Sequence, residues 1–343
     1  MTEKKQLPGL DLERLTDWIA EAAPNLASER PLEASLVAGG RSNLTYSVTD
    51  GSRHWILRRP PLGHVLATAH DMGREYRVLS ALQDTAVPVP QTYALCTDTA
   101  VLGAPFYLME QVAGTPYRTR DELATLGADR TRRITERLVD TLAALHAVDP
   151  AAVGLSDFGK TDGFLARQVG RWKKQLDASY TRDLPAADEL HQKLLGAVPS
   201  ESATGIVHGD YRLDNILVDE GDRVTAVLDW EMATLGDPLT DLALMITYHR
   251  LDLMLDNGAT SAASSPGFLN EAEVIARYGR GSERDLSRFG FYLGLAAFKL
   301  ATILEGIHFR HLQGKTVGEG FDTIGQAIDP LLAAGLSALK ETY

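Results

Sequence analysis

The feature that most restricts what this chain can become is a pair of strand ends. At the first, the apolar Ile206-Val207 runs into His208-Gly209-Asp210-Tyr211-Arg212-Leu213-Asp214-Asn215, the pattern H-x-D-x-x-x-x-N. At the second, Val227-Leu228 runs into Asp229-Trp230-Glu231, nineteen residues on from Asp210. Between them, Ile216-Leu217-Val218 and Val224 to Leu228 flank Asp219-Glu220-Gly221-Asp222, so the spacing predicts a β-hairpin. Transfer of a phosphoryl group wants these residue types. It needs a carboxylate to orient an attacking hydroxyl and take its proton, and hard oxygen ligands for the Mg²⁺ that neutralises the phosphates. Asp210 suits the first task; Asn215 and Asp229 suit the second. A rigid hairpin between them matters because positioning and electrostatics supply most of the catalysis in such reactions. The competing explanation is an N-capping Asp210 and a turn-forming Asp214-Asn215 in an ordinary loop.

Upstream, the chain changes period twice. Leu12, Leu15, Trp18 and Ile19 recur at helical spacing up to Pro24, which predicts a packing helix ahead of the main fold. Leu44, Tyr46 and Val48 then alternate with polar residues, Asp50-Gly51-Ser52 makes a turn, and a second strand runs from His54 to Arg59. With Leu36-Val37-Ala38 ahead of Gly39-Gly40, three consecutive antiparallel strands are expected. A helix follows from about Ala69 to Leu82, with Met72, Tyr76 and Leu79 as its apolar stripe, Glu75 off that stripe, and Val87-Pro88-Val89-Pro90 beyond its end. Thr92 to Cys96 and Pro105 to Val112 read as two more strands. From about Gly114 the pattern becomes helical, through Ile134, Leu138, Leu142 and Leu145, then Phe164, Val169, Trp172 and Leu176, and finally Arg288 to Arg310 and Phe321 to Leu339. The fold class is therefore α+β: a small antiparallel β-rich N-lobe, then a larger, mainly helical C-lobe carrying one hairpin. The expected divisions are 1–30 for the packing helix, 31–112 for the N-lobe and 113–343 for the C-lobe.

The stretches HGDYRLDNILV and AVLDWEMATLGDPLTDLA are similar to the aminoglycoside phosphotransferase and choline kinase-like superfamily, whose fold is bilobal and protein-kinase-like. More narrowly, they resemble the branch that includes the kinase-like domains of acyl-CoA dehydrogenase family members ten and eleven. The likeness runs from about Ser35 to about Tyr248 and is sharpest from Ile206 to Ala243. It implies ATP and Mg²⁺ as cofactors, Asp210 as catalytic base, and Asn215 and Asp229 as metal ligands. It also implies Asp241 as an acid behind the catalytic loop, where a helix N-cap is a compatible role, and His208 as a brace.

In the N-lobe the resemblance puts a phosphate-covering loop at Gly39, Gly40, Ser42 and Asn43. The phosphate-pairing lysine of the family falls at Arg58, with Arg59 as the competing position. Period-2 alternation sets Ile56 on the face of Arg58, where it could pack on adenine. Glu75 would pair with Arg58, and backbone groups of Glu110 and Val112 would read the adenine edge. The chain departs from the pattern at Arg58, because a guanidinium is no simple replacement for an ammonium. It departs again at Trp230-Glu231, which stands where kinases have Phe-Gly, and it has no A-P-E. Without that peptide platform, a small hydroxyl-bearing acceptor is expected: a hydroxyacyl thioester, an amino-alcohol or sugar, or an aminoglycoside-like compound. The alternative is a nucleotide-binding pseudokinase module with weak or no turnover.

Composition narrows the partners. Net charge is −12, which argues against nucleic acid, since a phosphate backbone needs a basic face. The lone cysteine, Cys96, rules out a disulfide within the chain and fits a reducing cytoplasm. No apolar run of membrane-span length is read from the sequence, so no membrane partner is expected.

Overall fold

A computed structural model describes residues 7–37, 43–63, 70–200, 203–255, 261–316, 321 and 323–341. The chain divides into two compact units: Met1–Gly114 with Thr225–Glu231, and Thr115–Val224 with Met232–Tyr343. Residues 225–231, and Asp229 with them, thus group with the β-rich unit, whereas sequence alone assigns them to the helical part.

The first unit comprises α1 (Leu12–Ala22), β1 (Glu33–Leu36), β2 (Leu44–Thr49), β3 (His54–Arg59), α2 (Met72–Leu82), β4 (Thr92–Cys96), α3 (Thr99–Leu102) and β5 (Phe106–Glu110). Its five strands form one sheet in the order β1-β2-β3-β5-β4, antiparallel throughout, with Arg58 opposite Tyr107 and Ile56 opposite Met109. Asp11 caps α1 by accepting from the N–H groups of Glu13 and Arg14. The helix then buries Leu15 and Ile19 in a single apolar cluster with Tyr46, Val48, Trp55, Leu57, Phe106 and Leu108 of the sheet. Trp18 meets the Phe106 ring edge-on at 4.8 Å. The predicted packing helix is thus part of this unit's core and no separate segment. Cys96 is buried here, and burial raises its thiol pKa, which keeps it unreactive.

The second unit comprises α4 (Arg120–Ala124), α5 (Ala128–Ala147), α6 (Phe164–Asp177), α7 (Pro185–Ala197), β6 (Gly205–Val207), β7 (Ile216–Val218), β8 (Val224–Val227), β9 (Thr234–Gly236), α8 (Leu239–Met254), α9 (Glu271–Gly281), α10 (Phe289–Leu312) and α11 (Ile328–Ala338); the chain crosses to the first unit within β8. The turn before β8 is closed by the Asp219 N–H donating to the Arg223 carbonyl at 2.9 Å. Asp222 in that turn takes a left-handed backbone, φ 64°, and accepts from Arg130 and Arg133 of α5. Two guanidiniums on one buried carboxylate tie the turn to the helix. β6 pairs antiparallel with β9, Ile206 opposite Leu235. By length and composition α10 is apolar enough to cross a membrane, a feature the sequence reading passes over. Most of it is buried inside this unit, packed against α6, α7, α8 and α11, and a helix enclosed on all sides is apolar all round.

Candidate functional site

In the second unit, β6 ends at Val207 and the chain enters the loop His208–Asn215. Asp241, in the first turn of α8, accepts from the backbone N–H of His208 at 2.6 Å and of Gly209 at 2.8 Å. Its carboxylate also meets His146 Nε2 at 3.4 Å, and His146 Nδ1 meets the Tyr278 hydroxyl at 2.7 Å. Burial opposes the charge on Asp241, but His146, His208 and the N–H donors outweigh it and hold its pKa below the ordinary carboxylate value. Asp241 is not the helix N-cap, a position held by Pro238; just before it, Asp237 accepts from the Leu239 N–H at 3.1 Å. Gly209 has φ 86°, and a Cβ there would sit 2.8 Å from the Met232 carbonyl oxygen, so only glycine makes this turn. His208 is fully buried, and its Nδ1 accepts from the Asp210 N–H at 3.2 Å. Tyr211, also buried, donates to the Leu138 carbonyl at 2.8 Å and pins the loop to α5.

This frame presents Asp210. One carboxylate oxygen accepts from the Tyr248 hydroxyl at 2.8 Å and the other from Asn215 Nδ2 at 3.2 Å. Asn215 Nδ2 also donates to the Asp210 carbonyl at 2.8 Å. With its amide nitrogen so engaged, Asn215 has Oδ1 left to offer. Burial and the neighbouring Asp210 raise the Tyr248 pKa, so its hydroxyl stays a donor. Arg212 lies over the Tyr248 ring, 4.5 Å from its centroid, and pairs with Asp214.

The first unit gathers a charged cluster on the face of the sheet that bears Ile56 and Arg58. Arg58 contacts Glu75 of α2 at 3.1 Å and Asp229 at 2.5 Å. Burial disfavours the Arg58 charge, but Glu75 and Asp229 outweigh it and raise its pKa. Burial dominates at Glu75, lifting its pKa to about 7 against the pull of Arg58. Glu75 thus belongs to the buried face of α2, contrary to the expected stripe, which instead consists of Met72, Glu75, Val78, Leu79 and Leu82. Helical periodicity counts only apolar residues, and this one is buried by an ion pair. Asp229 has φ 67°, a backbone strained for a residue with a side chain, and keeps 32% of its side-chain surface exposed. Two residues on, Glu231 accepts from Asn43 Nδ2 at 3.1 Å, and Asn43 Oδ1 meets His70 Nδ1 at 2.8 Å.

Of the other sequence-predicted residues, Gly39, Gly40 and Ser42 lie outside the described residues. Asn43 is buried. Ile56 is half-buried beside Arg58. Arg59 points to the opposite face and donates to the carbonyls of Leu102 and Gly9, so it does not compete for Glu75. The Glu110 N–H donates to the Gln91 carbonyl at 2.8 Å, and Val112 is half-buried.

Sequence reasoning passed over Tyr248, Lys299 and Glu231. Tyr248 stands seven residues after Asp241, two helical turns on and on the same face of α8, which is a legible signal. Lys299 is the lone charge in Phe289–Leu304, and a cation inside an apolar helix asks for a reason.

The Asp229 carboxylate of the first unit and the Asn215 amide oxygen of the second are each hard oxygen donors of the type that Mg²⁺ takes. Among the described residues no group of three or more His, Cys, Asp or Glu side chains forms a ready-made metal cage.

An antiparallel sheet unit with one ion-paired helix, and a helical unit with a carboxylate-bearing H-x-D loop, define a protein-kinase-like fold. Residues 33–292 match the model of the phosphotransferase enzyme family, and the chain belongs to that family. It is 35% identical over 322 residues to acyl-CoA dehydrogenase family member 11 of Pongo abelii, covering 92% of this chain and 41% of that protein. It is likewise 35% identical to family member 10 of Mus musculus over 293 residues, 84% of this chain and 27% of that protein. The chain thus spans about two-fifths or less of these relatives. A crystal structure from Ralstonia eutropha, assigned to the aminoglycoside phosphotransferases, aligns with a TM-score of 0.83 at 34% identity, covering 97% of this chain and 99% of that one. At 16% identity, the ternary complex of aminoglycoside phosphotransferase APH(4)-Ia with AMP-PNP and hygromycin B shares the fold, with a TM-score of 0.63 over 96% of this chain and 99% of that one.

Proposed function

We propose that the chain is an ATP- and Mg²⁺-dependent kinase that phosphorylates a hydroxyl group of a small molecule. One observation carries the reading: the Asp210 carboxylate is held by neutral donors, Tyr248 and Asn215, and forms no ion pair among the described residues. It is an oriented anion with acceptor capacity left, as a general base requires. Asp210 would receive the hydroxyl hydrogen bond and take its proton as the phosphoryl group departs from the nucleotide. Asn215 and Asp229 would hold Mg²⁺, which supplies charge neutralisation on the phosphates when bound. Arg58, fixed by Glu75, would reach the phosphates as a bidentate donor. Ile56 would pack on adenine, the Glu110 carbonyl and Val112 would read its edge, and Gly39, Gly40, Ser42 and Asn43 would cover the phosphates.

The relatives carry the name acyl-CoA dehydrogenase, and the structural neighbours act with aminoglycosides. Between these directions a hydroxyacyl thioester is the favoured acceptor, ahead of amino-alcohols, sugars and aminoglycosides. The experiment is ADP release from ATP across those acceptor classes, with and without Mg²⁺. Acceptor-dependent release that chelation abolishes is expected. Nucleotide binding without turnover on any acceptor would leave the pseudokinase module. Asp229→Ala should remove the thermal shift produced by Mg-ATP, and an undiminished shift would refute the metal role.

A further inference from the structure

The second unit holds a cavity of about 80 Å³ whose lining includes Gly209 of the catalytic loop, Arg171 and Trp172 of α6, Thr234, Asp241 and Lys299. Lys299 donates to the Gly209 carbonyl at 3.0 Å and stands 5.5 Å from the centroid of the Trp172 ring. An ammonium carries three donors, and these neighbours leave capacity to spare. Among the described residues no carboxylate forms an ion pair with it. Asp210 and Asp241 act on it only from a distance, and burial lowers its pKa. Asp241 is already engaged by two backbone N–H groups. On the same lining, the exposed Arg171 stacks on Trp172, 5.3 Å from its ring centroid, and also lacks an ion-pair partner among the described residues. Surface guanidiniums are often solvated, but a half-buried lysine facing a cavity is costly unless something anionic or strongly accepting visits it. In a chain of net charge −12, two uncompensated cations on one cavity wall mark that wall as a place for a negative group.

We infer that the acceptor carries an acid group, a carboxylate or a phosphate, which Lys299 and Arg171 bind in this cavity, beside the loop that bears Asp210. The word acceptor rests on the kinase reading; the anion site does not. A polycationic aminoglycoside is disfavoured by the same two side chains.

The test is equilibrium titration without ATP, using 3-hydroxybutyrate, its neutral methyl ester, and glycerol 3-phosphate. One of the two anions should saturate, and which one does so separates a carboxylate from a phosphate source. Lys299→Met and Arg171→Ala should each weaken that anion about tenfold or more, the worth of one charge-assisted hydrogen bond, whereas Lys299→Arg stays within about threefold. If 3-hydroxybutyrate is the one that saturates, its ester should bind at least about tenfold more weakly and be indifferent to both substitutions. The inference is overturned if neither anion binds, if 3-hydroxybutyrate saturates and its ester binds as tightly, or if Arg171→Ala and Lys299→Met leave anion affinity intact. Should Lys299→Met fail to fold, Arg171→Ala, a change to an exposed side chain, decides alone. Anion binding that both variants lose, with no ADP released on any acceptor, keeps the anion site and sinks the kinase reading instead.

Discussion

Asp210 and Asp229 both follow short strands, and the chain holds them in opposite ways. The Asp210 carboxylate rests on a hydroxyl and an amide, both neutral. Asp229 rests on Arg58, a guanidinium that it shares with Glu75. A nearby cation favours the charged form of a carboxylate and makes it a poorer proton acceptor. A group proposed to take a proton is therefore better held by neutral donors. A group proposed to hold a metal among phosphates loses nothing by sharing charge with a cation that phosphate can also engage. The supports differ likewise: neutral hydrogen bonds orient at modest energy, whereas buried ion pairs are costly to break on one side.

The comparison breaks first at Asp210. Asp210→Asn keeps the shape but removes the proposed base, so turnover should fall by about 10³ while Mg-ATP affinity holds, measured as ADP release and nucleotide titration. Undiminished turnover would remove the distinction between the two carboxylates. Asp241→Ala attacks the frame rather than the base. It leaves two buried N–H groups and His146 without their acceptor, and should cost about 3 kcal/mol, read from urea unfolding. An unchanged midpoint would mean that Gly209 and Tyr211 hold the loop without it.

The two regions also differ in how far the sequence discloses them. The strands of the β unit, and the shared face of Ile56 and Arg58, follow from period-2 alternation, which registers burial directly, whereas the pairing of β3 with β5 does not. Gly209 and Asp210 stand in a motif whose spacing is itself the geometry. Glu75 was misplaced on its helix, because a carboxylate buried by a guanidinium looks polar to any hydrophobic count. Residues 225–231, and Asp229 with them, group with the β-rich unit, which chain order alone does not show. Tyr248 and Lys299 reach the loop from helices 38 and 89 residues beyond Asp210; their helical positions single them out, but their long-range hydrogen-bond partners are not legible locally.

Glu75 gives the ion-paired region a pH signature. Its carboxyl titrates near 4.5 when unfolded and near 7 when folded, lifted by burial. Between those values the folded chain binds the extra proton, so raising the pH through this window removes stability. The loss should be on the order of 2 kcal/mol between pH 5 and 7.5, seen by urea unfolding, and Glu75→Gln should flatten it. An equal slope in the variant would assign the dependence to other groups.

The smallest expected effect is the sharpest test of the neutral support. Tyr248→Phe deletes one hydroxyl that donates to Asp210 and leaves the ring under Arg212 in place. Asn215 still holds the other oxygen, so Asp210 keeps its charge and half of its orientation. A net hydrogen bond is worth about 1 kcal/mol, which predicts a fall in kcat of about fivefold with nucleotide affinity unchanged. If Tyr248 instead supplied something Asp210 cannot do without, such as a proton path, kcat would fall about as far as in Asp210→Asn. If it were only packing, kcat would hold and the unfolding midpoint alone would move. The intermediate result is the one that makes Tyr248 a positioning residue, and it would show that the base is steered by hydrogen bonds while Asp229 is steered by charge.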